Sequence, residues 1–590
     1  MKHSRVIVRM VIQETEMLKP ASKFNGTEVH IGDKVVKIGG EIPELLQGEK
    51  LIRYTNSVCP YCERLLPAII VERENKLYIR KKCPEHGVIE DLYYGDASMY
   101  YKFMKYAEEG RGTYPYVPVT APCPFSCGLC SLHKNHTALL NIVVTNRCNL
   151  SCWYCFFYAD KVGYVYEPSI DEIRNQVRQV KKQNVTIAVQ LTGGEPLMRD
   201  DLVDVIKVLK EEGVRHIQLN TEGVAIAEVY LENPDLAVKW VRDLREAGVN
   251  TVYLSFDGVT PKTNPKNHYE IPFIFDAFRK AGMTSVVLVP TVIKTVNDHE
   301  LGKIVEFAAR NRDIVRSVNF QPVSLVGRLR MSDVNRFRIT IPDVINLVEE
   351  QTRGMISKNS WYPIPVAAKF AKFIEAVTKK EQFYMANHIA CGAATYIFVE
   401  ENNGKVIYHP VTEYIDVEGF IETLDNLASK VESKGKVLTY IQLLSLLRKL
   451  PSFIKKDELP TGTRISSLIR KVLLERNYDA LGEFHYNTIF LGIMHFMDQY
   501  NYDVERVMRC NIHYALPDGR IVPFCAYNVL NDVYKDYALK KHSVPIEEWA
   551  KTAHPHRYGV KDKHIPDIRR YKEHQLYVNT YKYFMEPKSN

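Results

Sequence analysis

Between about 138 and 351 the chain alternates short apolar runs with longer amphipathic ones. Ala138–Thr145, Val185–Leu191, His216–Thr221, Thr251–Asp257, Ser285–Ile293 and Val315–Val323 are β-branched and apolar on both faces, which predicts strands buried on both sides, as in a parallel sheet. Between them, residues 201–213 and the stretches near 235–248, 270–282 and 298–312 carry the helical period; Gly213 closes the first of these helices. Six such βα units predict an α/β fold, a partial (β/α)6 barrel open on one side, with its chemistry at the C-terminal ends of the strands.

Outside this block the pattern changes. Residues 1–48 form an N-terminal extension; 49–137 read as a loop-rich, cysteine-rich metal-binding region; 352–480 as mainly helical; and 481–590 as a mixed C-terminal region with two more cysteines and many tyrosines. The full 590 residues suffice for about three or four domains. A composition of 46% hydrophobic and 25% charged residues is that of a globular protein, and a net charge of +8 excludes a dedicated nucleic-acid binder. The apolar runs are too short to cross a bilayer and no secretory leader is evident, so a cytoplasmic location is expected. There, twelve cysteines point to metal ligands over disulfides.

The first strand runs straight into Cys148-Asn-Leu-Ser-Cys152-Trp-Tyr-Cys155. Three thiolates at this spacing hold three irons of a 4Fe–4S cube and leave the fourth open to a ligand. A structural zinc knuckle is the alternative, but zinc usually takes four ligands from paired arms. With Gly193-Gly194-Glu195-Pro196 at the end of the second strand, the arrangement resembles the radical S-adenosylmethionine (SAM) superfamily. The resemblance implies that SAM chelates the open iron and is cleaved to a 5′-deoxyadenosyl radical. It also implies cofactor contacts from Tyr154, Gly193, Gly194, Glu195, Asn220, Thr221 and Ser255, each of which also reads as an ordinary residue of a strand end or turn. Asp257 and Gln321 are candidates for the substrate side.

The other nine cysteines fall into three groups of three. Cys123, Cys127 and Cys130 repeat the C-x3-C-x2-C spacing without a strand ahead of them, the pattern of an auxiliary cluster or of a zinc site completed by His133. Cys59, Cys62, Cys83 and His86 form a rubredoxin- or zinc-ribbon-like knuckle for one iron or zinc. Cys510 and Cys525 flank a hairpin turning at Asp518–Gly519, and Cys391 is placed with them as a further auxiliary site.

For the substrate, the basic amphipathic segments 437–456 and 465–474 suit a helix at an anionic membrane surface or ordinary packing on the barrel, and Ile489–Met497 is further apolar surface. The knuckle, the two triads, Leu191-Thr-Gly-Gly-Glu-Pro-Leu197, Val289-Pro-Thr-Val-Ile-Lys294, Asn319-Phe-Gln-Pro-Val323 and the late cysteines together resemble archaeal tetraether lipid synthases and their macrocyclic-archaeol relatives. That resemblance implies joining of phytanyl chain termini on a glycerol ether phospholipid, peripheral membrane contact and an external electron donor. The departure is the knuckle, which offers three cysteines and His86 where those synthases have four cysteines. The alternatives are a radical SAM methylase or maturase acting on a pterin or peptide, and an iron–sulfur electron carrier without SAM turnover.

Overall fold

The computed structural model describes residues 18, 22–155, 157, 162–326, 334–378, 381–431, 446, 448–460, 462–475, 487–552 and 562–585. The six expected strands are Leu139–Thr145, Ala188–Gly193, His216–Thr221, Thr251–Ser255, Val286–Val289 and Val315–Pro322. They pair in chain order, every neighbour parallel, into a partial barrel. Leu140, Ile142, Val189, Leu191, Ile217, Leu254, Leu288 and Val318 are all inaccessible or nearly so, which explains why these strands read as continuous apolar runs. Helices Leu202–Glu211, Pro234–Ala247, Ile271–Ala281 and Leu301–Arg310 cover the outside.

Both edges of the half-barrel are closed by strands from far along the chain. Ile489–Met494 adds in parallel beside the sixth strand, and Gly392–Asn402 pairs antiparallel with it. At the other edge Ile512–Ala515 adds in parallel beside the first strand, and Ile521–Pro523 completes the hairpin expected around Asp518–Gly519. Pairing of both edges moves the unpaired backbone groups of the barrel strands outward onto the short strands at 521–523 and 405–410. The run 489–497 is therefore an interior strand and its continuation, not free apolar surface.

The region read as loop-rich starts instead with a four-stranded antiparallel sheet, Lys50–Val58, Leu65–Arg73, Lys76–Cys83 and Gly87–Tyr94. Its turns at Glu63 and at Glu74–Asn75 take positive φ, and the intervening strands are too mixed in polarity to alternate cleanly. Buried charges fasten it to the C-terminal region. Asp503 accepts from Arg53, from Thr55 Oγ1 at 2.7 Å and from Tyr93 Oη at 2.8 Å, and Arg338 bridges Asp91 and Asp498. Removing one partner of such a pair costs ~3–5 kcal/mol because the other charge is left buried alone.

The membrane-facing expectation for 465–474 is corrected by packing. Ile465 and Leu468 of helix Ile465–Glu475 sit in a cluster with Phe398, Tyr414 and Leu459. Of the segment 437–456, residues 437–445 and 447 lie outside the described residues; Leu446 and Leu450 are buried. Among the described residues no helix is long and apolar enough to cross a membrane.

The join between the first two strands is the tightest feature of the barrel. The Gly194 amide donates to Thr145 O at 2.8 Å and the Glu195 amide to Arg147 O at 2.8 Å. A Cβ on Gly193, whose φ is 134°, would stand 2.0 Å from Thr145 O, and one on Gly194 2.0 Å from Arg147 O. Backbone on backbone leaves nothing flexible to give way, so Gly194→Ala is expected to cost at least about 3 kcal/mol. It should also reduce iron bound by the 148–155 loop. Denaturant titration and iron analysis check this; a variant with native stability and native iron content contradicts it.

Candidate active site and metal centres

The loop 148–155 leaves the C-terminal end of the first strand, where the Gly193–Glu195 backbone pins its root. Sulfur–amide bonds shape it: Leu150 N donates to Cys148 Sγ at 3.4 Å, and Phe157 N to Cys155 Sγ at 3.2 Å. Burial raises the Cys148 thiol well above its usual range, and raises Cys152 to about 12 although Lys266 acts against it. Thiols this hard to ionise in the dry loop become thiolates when a metal supplies the compensating charge. The donor set therefore fits a metal cluster.

Around the loop the sequence-predicted residues do not all meet what was expected. Gly193 and Gly194 are needed for the approach to Thr145 and Arg147, as described above. Glu195 is buried and fully bonded: Oε1 accepts from Thr221 Oγ1 at 2.6 Å and Leu197 N at 2.9 Å, and Oε2 from Glu222 N at 2.9 Å. Asn220 donates to Thr192 Oγ1 at 3.3 Å. The Ser255 carbonyl accepts from Asn267 Nδ2 at 2.9 Å. Gln321 pairs with Thr291 in the sheet register. Tyr154 packs with Ile293, Val323 and Tyr500, and its hydroxyl donates to Asp257.

Several residues without a spacing signature complete the site. Lys266, in the loop after the fourth strand, binds Asp257 Oδ2 at 3.0 Å and lies 5.0 Å from the Tyr154 ring centre. Burial opposes its charge, but Asp257 and Cys152 outweigh burial and raise its pKa. Glu222, next to Glu195, is also buried; burial and the Glu195 charge push it well up, so the two acids retain a proton where exposed carboxylates have lost theirs. Glu222 Oε1 and both amide atoms of Asn149 are buried and make no well-aligned hydrogen bond among the described residues, although the Asn149 amide lies within reach of the Glu222 carboxyl. Such groups mark where a polar ligand is missing. Lys266 was discoverable only by following the loop after the fourth strand, and Glu222 by reading one residue past Thr221.

A C-terminal segment latches onto the same loop. Lys563 Nζ donates to Cys148 O at 2.9 Å, and His564 N to Asn149 O at 2.8 Å. The His564 ring bridges Glu228 and Glu270, at 2.7 Å each. A cavity of about 200 Å³ lies alongside, lined by Leu150, Lys266, Glu270 and His564 among others.

The knuckle closes on itself. The ligand atoms of Cys59, Cys62, Cys83 and His86 lie within 4.8 Å of one another, with His86 Nδ1 at 3.5 Å from Cys59 Sγ and 3.4 Å from Cys83 Sγ. Burial pushes Cys62 up to about 12. At Cys83 burial also acts upward, but the His86 bond and backbone amides prevail and bring it down to about 7. This is a Cys/His site able to hold one metal ion.

His133 does not turn toward the Cys123–Cys127–Cys130 triad. Its Nε2 faces Cys510 O at 2.9 Å and His513 Nε2 at 3.2 Å. That nitrogen is therefore engaged away from the zinc site the spacing allowed. Cys123 and Cys127 share a packed cluster with Cys510 and Cys525, and Tyr502 feels the charge of Cys127, Cys123 and Cys525. Cys391, distant in sequence, joins Cys510 and Cys525 around Arg506.

The latch generates a pH prediction. Burial lowers the His564 pKa, but the bonds to Glu228 and Glu270 prevail and raise it to about 9 from 6.5. A raised folded-state value means the clamp's stabilisation is complete below about pH 6.5 and is lost as pH rises through about 9. Hydrogen exchange of 562–585 should accelerate across that window in the wild type more than in His564→Gln. Equal pH dependence in the two proteins rules out the clamp.

Comparison with known proteins fits this geometry. A model described as the radical SAM superfamily matches residues 142–308, and one described as the HMPTM N-terminal zinc ribbon domain matches 51–95. The chain is 43% identical over 516 residues to 7,8-dihydro-6-hydroxymethylpterin dimethyltransferase of Methanocaldococcus jannaschii, covering 86% of this chain and 98% of that one. It is 30% identical over 199 residues to a probable GTP 3′,8-cyclase of Methanothermobacter marburgensis, covering 32% and 60%. Among solved structures, Streptococcus suis SuiB matches 37% of this chain and 46% of its own at 17% identity and a TM-score of 0.29. The resemblance to tetraether lipid synthases is thereby corrected, and with it the glycerol ether lipid substrate and the membrane contact. The motifs that carried it lie in the knuckle, the cysteine loops and the barrel strands. By identity along almost the whole relative, the chain belongs to the radical SAM superfamily and, within it, to the family of the M. jannaschii pterin dimethyltransferase.

Proposed function

We propose that this chain is a radical SAM methylase whose substrate is a pterin. The observation that carries the reading is the 43% identity to the pterin dimethyltransferase over 98% of that protein's length. In support, the mouth of the barrel is polar, with Asp257, Lys266, Glu222 and Asn149 beside the cysteine loop, a lining suited to a heterocycle with many donors and acceptors and ill suited to an alkyl chain.

In this reading Cys148, Cys152 and Cys155 hold the 4Fe–4S cluster that binds SAM. A cluster held there would supply the reducing electron for cleavage of bound SAM, and so a carbon-centred oxidant for an unactivated C–H bond. The protein's part is positional and electrostatic. Leu150 and Phe157 amides stabilise the sulfurs, and the Tyr154–Asp257–Lys266 chain fixes the loop over the strand ends. Glu222 and Asn149, poorly satisfied by one another, would be free to turn to the methionine and ribose groups, while Glu195 orders the turn beside them. Cys123, Cys127 and Cys130, and Cys391, Cys510 and Cys525, hold auxiliary clusters; the Cys59–Cys62–Cys83–His86 knuckle holds zinc or a single iron. An external reductant supplies the electrons.

The test uses anaerobic, iron-loaded protein with dithionite, SAM and 7,8-dihydro-6-hydroxymethylpterin deuterated on its carbons. Deuterium should appear in 5′-deoxyadenosine, and Cys152→Ala should abolish its release. If 5′-deoxyadenosine forms without deuterium and at a rate indifferent to the pterin, the pterin reading is wrong.

A further inference from the structure

His495 is 2% exposed, and neither ring nitrogen has a hydrogen-bond partner among the described residues. A buried polar atom left unmet pays its desolvation without return, so the orphaned ring calls for a partner. Its position supplies one. In the antiparallel pairing Gly392 stands opposite Met494, and one step further the His495 amide donates to Cys391 O at 3.0 Å, so the two residues face each other at the sheet's end. Two residues along, Met497 N donates to Cys525 Sγ at 3.4 Å. Cys391 and Cys525 are thus drawn to the end of the strand that carries His495, and Cys510 lies close enough to both to feel their charge.

Arg506 completes the pocket. Its Nη2 donates to His495 O at 2.7 Å, Nε and Nη1 find no oxygen acceptor among the described residues, and the Cys391 side chain lies within reach of the guanidinium. A buried guanidinium without a carboxylate is costly unless negative charge arrives with a ligand. An oxidised cubane on three thiolates and one neutral imidazole carries a single negative charge, which the guanidinium offsets.

We propose that His495 supplies the fourth ligand of an auxiliary 4Fe–4S centre held by Cys391, Cys510 and Cys525, with Arg506 as its charge-compensating neighbour. The inference rests on the reading of those three cysteines as cluster ligands and goes beyond it. A fully ligated centre stores or passes electrons and binds no substrate at iron, which separates its role from that of the open cluster at 148–155.

The test is pulsed electron paramagnetic resonance on the full chain, anaerobically reconstituted with iron and sulfide, reduced with dithionite, with and without 15N-histidine. The wild type should show a strongly coupled histidine nitrogen. His495→Cys should abolish it, keep the wild-type iron and sulfide content, and shift the centre to a lower potential, as thiolate replaces imidazole. Cys525→Ala should lose one cluster's complement of iron. Absence of the coupling in the wild type, or its persistence in His495→Cys, overturns the ligand assignment even where Cys525→Ala loses iron. Undiminished iron in Cys525→Ala overturns the cysteine site itself, and the proposal with it.

Discussion

Two backbone hydrogen bonds, from Gly194 to Thr145 O and from Glu195 to Arg147 O, set the position of the cysteine loop relative to the barrel. They require a contact so close that no side chain fits at 193 or 194. The second strand's turn is therefore a clamp on the first strand's exit, and Cys148 emerges one residue past it. Everything placed around the loop follows: the Glu195–Glu222 pair on the clamp's far side, the Asp257–Lys266 pair across the mouth, and the C-terminal latch through Lys563 and His564. Strand ends are rigid, and a site built on them is held more firmly than one on free loops.

The second organising constraint is closure of the open sheet by the chain's own late segments. Strands at Ile489–Met494 and Ile512–Ala515 pair with opposite edges. The same pairing delivers Cys510 and Cys525 to the region that holds Cys123 and Cys127. Buried charges at Arg53, Arg338, Asp498 and Asp503 then tie the metal knuckle to this assembly. Cysteines far apart in sequence thus become neighbours through sheet topology.

The barrel was legible because both-face burial writes an unbroken apolar run, as in Val286–Val289, and because a cysteine triad directly after a strand has few other meanings. The knuckle's four ligands were legible from spacing alone. The antiparallel ribbon around them was not, since its strands carry charged residues such as Arg80 and Lys81 that become buried only on pairing with Glu49 and with the 499–500 backbone. Lys266, Glu222, His495 and Arg506 share that character: their importance comes from partners brought by the fold. The substrate was misread for a related reason. The motifs that were read lie at strand ends and cysteine loops, whereas Lys266 and Glu222 at the barrel mouth carry no spacing signature.

The central claim is that the 148–155 loop presents a cluster with one iron open to SAM at the barrel mouth. Titrating SAM into the reduced, iron-loaded protein while recording the electron paramagnetic resonance of that cluster tests this directly. The account predicts a SAM-dependent change of the signal that is absent in Cys148→Ala. A spectrum unaltered by saturating SAM contradicts it.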